Sequence, residues 1–236
     1  MKALVLQEKG GVGKSYFCKL LYLLLYKKGK PFKVCDCDNA SLSLSKFVSK
    51  TLTKLGPDQS MVEAEAIDFL NEKQKIDRSK FDIFLEELLN ESKDTIVDFG
   101  AATSEQFLYY AMENKGMLDD LQEMGISIFV VAAGDTTWQD CFSFIKKIEA
   151  TGLLPLVKIV ANEFQGGVGD KSVTQLLEDL GLNPLTVPRI GDQGDAASQE
   201  WQDFMINGIT LEDIDELPLM RRRRVNNYLT SIFDQF

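Results

Sequence analysis

A glycine-rich loop near the start of the chain has the composition of a phosphate-binding site. The segment Lys9-Gly10-Gly11-Val12-Gly13-Lys14-Ser15 fits the end of the pattern G-x-x-x-x-G-K-S, with Glu8 at the position of the first glycine. Glycines let backbone N–H groups wrap a phosphate, and the helix predicted to follow adds a favourable dipole. Lys14 can reach the β- and γ-phosphates, and the Ser15 hydroxyl can ligate Mg²⁺. The residues that we expect to contact ATP here are Gly10, Gly11, Val12, Gly13, Lys14, Ser15 and Tyr16.

Three aspartates follow predicted strands and could act on the same phosphates. Asp36 and Asp38 end one strand, and Asp98 follows the apolar residues of the strand Thr95–Phe99, two positions before Gly100. A carboxylate can accept a hydrogen bond or proton from water and can attract Mg²⁺-bound water. An aspartate at such a position can also merely cap the next helix or turn, and this alternative stays open for Asp36 and Asp38. Asp98 is expected to hold Mg²⁺ through water, and Gly100 to let the backbone approach the γ-phosphate.

Strands and helices alternate along the whole chain, which positions these motifs. The predicted strands are Lys2–Gln7, Phe32–Cys37, a short one within Met61–Leu70, Thr95–Phe99, Ile126–Ala133, Leu156–Ala161 and Leu185–Arg189. The predicted helices are Ser15–Lys28, Ala40–Leu55, Arg78–Asn90, Ser104–Met124 with a break at Gly116, Thr137–Ala150, Lys171–Leu180 and most of Gln193–Phe236 with breaks at Gly208 and Pro218. The pattern predicts an α/β, three-layer P-loop NTPase fold: a mostly parallel twisted sheet with helices on both faces.

The motifs fall at the carboxyl ends of the strands, where ligands bind in such folds. We expect a single domain over residues 1–236, with a helical tail over about 208–236.

Composition excludes several classes of function. The 236 residues have a net charge of −10, which disfavours general attraction to nucleic acid or anionic lipid. The chain has no histidine, which excludes histidine-based catalysis and histidine-ligated metals. The four cysteines, Cys18, Cys35, Cys37 and Cys141, form no C-x-x-C pair and are interpreted as buried thiols. Apolar runs such as Leu20–Tyr26 are far shorter than the ~20 residues of a membrane span, and the expected location is cytoplasmic.

The loop Lys9-Gly10-Gly11-Val12-Gly13-Lys14-Ser15 resembles the signature of the deviant Walker A ATPases, which include ParA, MinD, nitrogenase iron protein and arsenite ATPase. The resemblance implies that Lys9 crosses a dimer interface to the partner's nucleotide, where a cation offsets phosphate charge as an arginine finger would. It assigns Asp38 to orienting the attacking water and Asp36 to the Mg²⁺ surroundings. Asn39 and the segment Phe99–Ala102 stand where the family often has prolines.

A base pocket is also implied by the resemblance. Asn162 ends a predicted strand where the family has an adenine-contacting asparagine, and a side-chain amide can pair with both a donor and an acceptor on adenine. Pro188 and Arg189 follow the next strand, where the family's backbone and an arginine often flank the base. A turn residue and a surface arginine are the alternative interpretations of Asn162 and Arg189.

The chain is also similar to plasmid-encoded ParA-like proteins of the TraL and StbC type, through its opening motif, the Asp36–Ala40 segment and Val97–Ala101. That resemblance implies a role in plasmid partition, stability or conjugative transfer. The family implies a homodimer that forms on ATP binding, slow hydrolysis of ATP, and an activating or cargo protein as partner. The alternative is a metabolic P-loop enzyme that uses ATP on a small-molecule substrate.

The tail combines four arginines, Arg221, Arg222, Arg223 and Arg224, with a helical apolar stripe that begins at Val225 and ends at Phe236. Three interpretations stay open. The stripe can pack on the core, with the arginines paired to Glu212, Asp213, Asp215 and Glu216. The arginines can bind DNA phosphates non-specifically, or the helix can lie on a membrane surface.

Overall fold

The computed structural model describes residues 1–56, 61–73, 75–133, 138–163, 177–178, 180–190 and 196–236. Its strands are β1 (Lys2–Leu6), β2 (Phe32–Cys37), β3 (Val62–Ala66), β4 (Asp94–Phe99), β5 (Ile126–Ala133), β6 (Val157–Asn162) and β7 (Leu185–Val187). Its α-helices are α1 (Lys14–Lys28), α2 (Ser43–Leu55), α3 (Arg78–Asn90), α4 (Ala101–Glu113), α5 (Met117–Glu123), α6 (Trp138–Thr151), α7 (Ala196–Asn207), α8 (Leu211–Asp215) and α9 (Leu219–Phe233).

The seven strands form one sheet in the order β3-β2-β4-β1-β5-β6-β7, and every pair is parallel. The chain moves from β1 toward β3 in one direction and from β3 back through β4, β5 and β6 in the other. Because parallel crossovers are right-handed, α1 and α2 cover one face of the sheet and α3 to α6 cover the opposite face. The predicted α/β architecture with helices on both faces is confirmed.

The core lies around the central strands. The eight residues of β5 are buried apart from a partly exposed Ser127, as expected for a strand covered on both faces. Helix α1 is buried along Phe17–Leu25, and Tyr22 packs edge-on against Phe32 and Phe47. The four cysteines are free and buried, as predicted.

Helix α2 begins at Ser43 and not at the predicted Ala40, because Asp38 organises a turn before it. The Asp38 carbonyl accepts hydrogen bonds from the N–H groups of Ser41 (3.2 Å) and Leu42 (2.9 Å). Leu42 has a φ of 47°, a left-handed conformation that is strained for a leucine. The turn therefore separates the end of β2 from the helix.

The tail packs on the same face as α1. Val225, Tyr228, Leu229 and Ile232 of α9 are buried, which confirms the packing interpretation of the apolar stripe. Arg222 does contact Asp215, one of the predicted partners, but it donates to the backbone carbonyl at 2.9 Å; Arg221 pairs instead with Glu200 at 2.9 Å, outside the predicted set. Glu200 is contributed by α7, so sequence proximity to the arginines could not identify it.

The helix predicted over Lys171–Leu180 falls almost entirely outside the described residues. The break predicted at Gly208 is present: this residue has a φ of 78°, and a Cβ there would lie 2.7 Å from the backbone nitrogen of Thr51. Both observations require glycine where α7 ends against α2.

Candidate functional site

The glycine-rich loop connects β1 to α1 at the carboxyl edge of the sheet. Gly11 has a φ of 79° and Gly13 a φ of 100°, and both values lie in the region that side chains rarely adopt. A Cβ on Gly13 would also lie 2.2 Å from the amide nitrogen of Asn162. The loop conformation therefore depends on glycine at these positions.

Lys14 lies beneath this loop in the first turn of α1. Its side chain is buried, and its ammonium donates to the Lys9 carbonyl at 3.2 Å. Burial lowers the pKa of Lys14, and the nearby carboxylates Asp98 and Asp38 act in the opposite direction. The cation is thus held between the loop backbone and two carboxylates, where a bound phosphate would add a further anionic partner.

Two ion pairs anchor the entrance of the loop to α6, and the sequence reasoning missed both. Lys147 contacts Glu8 at 2.5 Å, so the residue that replaces the first glycine of the pattern has a structural partner. Lys9 contacts Asp140 at 2.8 Å, with both side chains about half exposed. The Asp140 carboxylate raises the pKa of Lys9 through this hydrogen bond. The only sequence signal was a set of opposite charges about 130 residues apart.

Asp98 is the unusual group of the site. It is fully buried at the end of β4, and neither of its carboxylate oxygens accepts a backbone N–H; the Ser15 hydroxyl and the Cys18 thiol are its polar neighbours. Burial raises the pKa of Asp98 to about 7, against the opposing effects of the Ser15 hydroxyl and Lys14. A fully buried carboxylate that accepts no backbone hydrogen bond is costly to the fold, which points to a ligand of opposite charge.

This donor set suits Mg²⁺ bound together with phosphate. The described residues contain no group of three or more acidic or cysteine side chains that could hold a metal by themselves. Mg²⁺ prefers oxygen ligands and is commonly bound by one or two protein groups plus substrate phosphates and water. The Ser15 hydroxyl and the Asp98 carboxylate are the groups that could supply that protein share beside the phosphate loop.

Asp36 lies next to Asp98 in the register of β2 and β4, yet its environment is different. Its Oδ1 accepts from the Asp38 N–H at 3.1 Å, and its Oδ2 accepts from the Ser45 N–H at 2.7 Å. Both oxygens are therefore occupied in holding the turn and the first turn of α2. The geometry therefore gives Asp36 the capping role that the sequence left open. Asp36 lies beside Asp98 and does not replace it as the candidate metal ligand.

Asp38 lies at the rim of the cavity and touches Gly100. Its Oδ1 accepts from the Ala40 N–H at 3.2 Å, and its Oδ2 accepts from the Ser41 hydroxyl at 2.9 Å. A Cβ on Gly100 would lie 2.9 Å from the Asp38 Oδ1 and 3.1 Å from its Cα. The glycine lets the ends of β2 and β4 approach, so that Asp38 and the phosphate loop line one cavity of about 640 Å³.

The three residues predicted for the base pocket have other contacts in this structure. Asn162 is buried and donates to the Val12 carbonyl at 2.9 Å, so its amide supports the phosphate loop. Arg189 is exposed and donates to the Glu163 carbonyl at 2.7 Å, and Pro188 is half-buried beside it. Of the three, the structure brings only Asn162 to the phosphate loop, and it does so through the backbone carbonyl of Val12.

Tyr16, expected among the nucleotide contacts, directs its hydroxyl toward the tail. The hydroxyl accepts from the Trp201 indole N–H at 2.8 Å and lies 2.5 Å from the Tyr228 hydroxyl. Its side chain also lines the cavity beside the loop. The first turn of α1 is thus hydrogen-bonded to α7 and α9, which no local sequence pattern indicated.

Several solved structures share this architecture. No protein-family model matches the chain, and no curated protein matches it either. The MinD protein of Pyrococcus horikoshii in complex with Mg-ADP is 13% identical, with a TM-score of 0.57 over 99% of this chain and 94% of that one. MinD of Aquifex aeolicus, solved in complex with MinC, is 16% identical, with a TM-score of 0.55 over 96% of each chain.

A protein of Borrelia burgdorferi B31 assigned to plasmid partition and bound to AMPPNP is similar over 100% of this chain and 99% of its own. Its identity is 13% and its TM-score 0.56. The chain has the fold of the ParA/MinD-type P-loop ATPases. At these identities the likeness establishes the fold, and the site must carry the functional argument. No helix within the described ranges combines the length and apolar character needed to cross a bilayer.

Proposed function

We propose that this chain is a ParA/MinD-like ATPase that binds ATP with Mg²⁺, dimerises when ATP is bound and hydrolyses ATP slowly. The observation that carries the proposal is the buried Asp98 carboxylate, which accepts no backbone hydrogen bond and lies beside Ser15 and Lys14 at the phosphate loop. A phosphate-bound Mg²⁺ would offset the cost of burying this charge, because the carboxylate then gains a divalent cationic partner.

The residues of the site divide the work. The loop N–H groups and the Lys14 ammonium bind and orient the phosphates, and the Ser15 hydroxyl with Asp98 would hold Mg²⁺, which supplies positive charge to the β- and γ-phosphate oxygens. Asp38 is at the rim of the cavity and can accept a hydrogen bond from the attacking water once its turn contacts rearrange. Asp36 fixes the turn that carries Asp38.

Lys9 is the proposed contact between two subunits. Its ion pair with Asp140 is exposed, and such pairs contribute only about 0–1 kcal/mol. The side chain can therefore exchange this partner for the triphosphate bound by a second subunit, where its charge would stabilise both the dimer and the transition state. A partner protein that favours this arrangement would accelerate hydrolysis.

Nucleotide binding is tested by calorimetric titration of ATP with Mg²⁺ into wild type, Lys14→Ala and Lys28→Ala. Lys28 is an exposed lysine at the other end of α1 and serves as the matched control. We expect Lys14→Ala to weaken binding by at least about 100-fold and Lys28→Ala to bind as wild type does. Unchanged binding by a folded Lys14→Ala variant would contradict the assignment of the loop.

The dimer is tested by light scattering during size exclusion, with ATP and Mg²⁺ or with ADP. We expect a dimer only with ATP, a longer-lived dimer for Asp38→Ala because hydrolysis is blocked, and a monomer for Lys9→Ala. A monomer under every condition would remove the crossing role of Lys9 and favour a metabolic P-loop enzyme acting on a small molecule.

A role in plasmid partition, stability or conjugative transfer in the cytoplasm extends this proposal, supported by the resemblance of the motifs. An activating or cargo protein and non-specific DNA are its proposed partners. DNA binding would use Arg221, Arg222, Arg223 and Arg224, of which the first two already bind acceptors within the chain. A gel-shift comparison of a random duplex with and without ATP tests it, and no shift in either state would reject it.

A further inference from the structure

The charges of this chain are unevenly distributed between the two faces of the sheet. Residues 78–124, which form α3, β4, α4 and α5, contain eleven acidic and four basic side chains and account for most of the net charge of −10. The start of α9 has the opposite character, with four consecutive arginines. Such an asymmetry favours association between unlike surfaces.

The acidic face has a groove with an apolar floor. We call it the acidic groove: it has a volume of about 460 Å³ and lies among α3, α4 and α5. Leu85, Met117 and Leu121 form part of its floor, and Leu89 at its edge is 47% exposed. Its rim has four exposed carboxylates and one lysine: Asp82, Glu86, Asp120, Glu123 and Lys115.

The first turns of α9 present the complementary surface. In this segment, Leu219–Arg224, the side chains of Leu219 and Met220 are 53% and 72% exposed, directly before the arginines. Arg223 and Arg224 are both exposed on the helix. An apolar pair followed by guanidinium groups matches an apolar floor rimmed by carboxylates, because each part finds its counterpart.

The segment cannot reach the groove of its own subunit. Helix α9 packs on the face of α1, where Tyr228 contacts Tyr16 and Lys27 lies 5.6 Å from the ring centroid of Phe233. The groove lies on the opposite face with α3 to α5, across the sheet. The match can therefore be satisfied only between two molecules.

We propose that the Leu219–Arg224 segment of one copy of this chain docks in the acidic groove of a second copy. The contact is heterologous, so each added copy leaves one free groove and one free segment, and assembly continues into open chains. It uses no residue of the nucleotide site, and it is independent of the ATP-dependent dimer. DNA would satisfy the arginines but would leave Leu219 and Met220 in water, which is why a protein groove is the better occupant.

The test is sedimentation velocity of the full chain without nucleotide, from about 1 to 200 µM, in low and high salt. We expect a weight-average mass that rises with concentration above the monomer's 26.5 kDa in low salt and returns to the monomer value in high salt. The groove variant Glu86→Lys/Asp120→Lys and the helix variant Arg223→Glu/Arg224→Glu should each associate at least about 10-fold more weakly. Their circular dichroism should show the wild-type fold, since all four residues are exposed.

Sedimentation velocity of an equal mixture of the two variants provides the decisive test. The arginines of the groove variant can use the native groove of the helix variant, and the reversed groove can bind the reversed helix, so association should return. The control Glu105→Lys/Glu149→Lys changes the net charge by the same amount as the groove variant, outside the groove, and should associate as wild type does. A monomeric wild type at every concentration would overturn the proposal. The proposal would also be overturned if the helix variant lost association while the groove variant associated as wild type does. A mixture of the two variants that stays monomeric would overturn it as well.

Discussion

Two neighbouring strands of this molecule each end near a buried aspartate, and the two aspartates differ in their hydrogen bonding. Asp36 and Asp98 face each other in the register of β2 and β4, and both are fully buried. Asp36 accepts a backbone N–H on each oxygen, whereas Asp98 accepts none among the described residues. Residue type and burial therefore do not determine the role of a carboxylate. The donors supplied by the local chain decide whether it stabilises the fold or holds a ligand.

Among the tests of this difference between Asp36 and Asp98, the largest effect is expected from removing the Asp36 carboxylate. Asp36→Ala leaves the Asp38 and Ser45 N–H groups without their acceptor and opens a small cavity, so we expect a loss of about 3 kcal/mol in the free energy of unfolding. Denaturant unfolding at pH 8 measures it. Asp36→Asn keeps one carbonyl acceptor and should lose less. A change below about 0.5 kcal/mol in Asp36→Ala would show that the two hydrogen bonds do not organise the turn.

The opposite sign is expected at Asp98. Asp98→Asn removes a buried charge that accepts no backbone hydrogen bond, so the metal-free protein should gain about 2 kcal/mol of stability at pH 8. The measurement is the same unfolding titration in the presence of a chelator. If Asp98→Asn were destabilised as strongly as Asp36→Ala, the two carboxylates would be equivalent and the comparison would fail.

The pH dependence of stability distinguishes the same pair. Because the pKa of Asp98 is raised to about 7, the metal-free folded state binds a proton more tightly than the unfolded chain does. Stability should therefore rise by about 1.5 kcal/mol as the pH falls from 8 to 6, at about 1.4 kcal/mol per unit below the folded pKa. Asp98→Asn should lack this increase. An identical pH profile in the wild type and the variant would contradict the assignment.

The smallest effect is expected at Gly100, which lets Asp38 approach β4. The Cβ of Gly100→Ala would meet the Asp38 Oδ1 and Cα at 2.9 and 3.1 Å, so the turn must shift by a few tenths of an ångström. We expect a loss of about 1 kcal/mol in stability and a larger fractional loss of ATP turnover than of ATP affinity. Unchanged turnover would show that the position of Asp38 does not limit hydrolysis.

The sequence predicted the order of strands and helices and the phosphate loop well, because both depend on local patterns. All seven predicted strands are present, and α1 follows the loop directly. Asp98 could be selected from its apolar strand and the glycine after it. The contacts of Asn162 with Val12, and of Tyr16 with Trp201, join residues 150 or more positions apart. No periodicity or local motif specifies such pairs, since they arise only when the helices pack.

The division between Asp36 and Asp98 was also hidden in the sequence. Both follow apolar strand residues, and the resemblance placed both near Mg²⁺. Only the turn after β2, with Leu42 in a left-handed conformation, brings the Ser45 N–H onto Asp36. The first helical residue of α4 follows Gly100 directly, so β4 has no comparable turn to satisfy Asp98.

The most direct test of the account is the Mg²⁺ dependence of ATP affinity in the wild type and in Asp98→Asn. Calorimetric titrations with Mg²⁺ and with a chelator give the ratio of the two affinities for each protein. We predict that Mg²⁺ strengthens ATP binding by at least about 10-fold in the wild type and has little effect in Asp98→Asn. Equal Mg²⁺ dependence in both proteins would contradict the claim that Asp98 is the metal-binding carboxylate of this site.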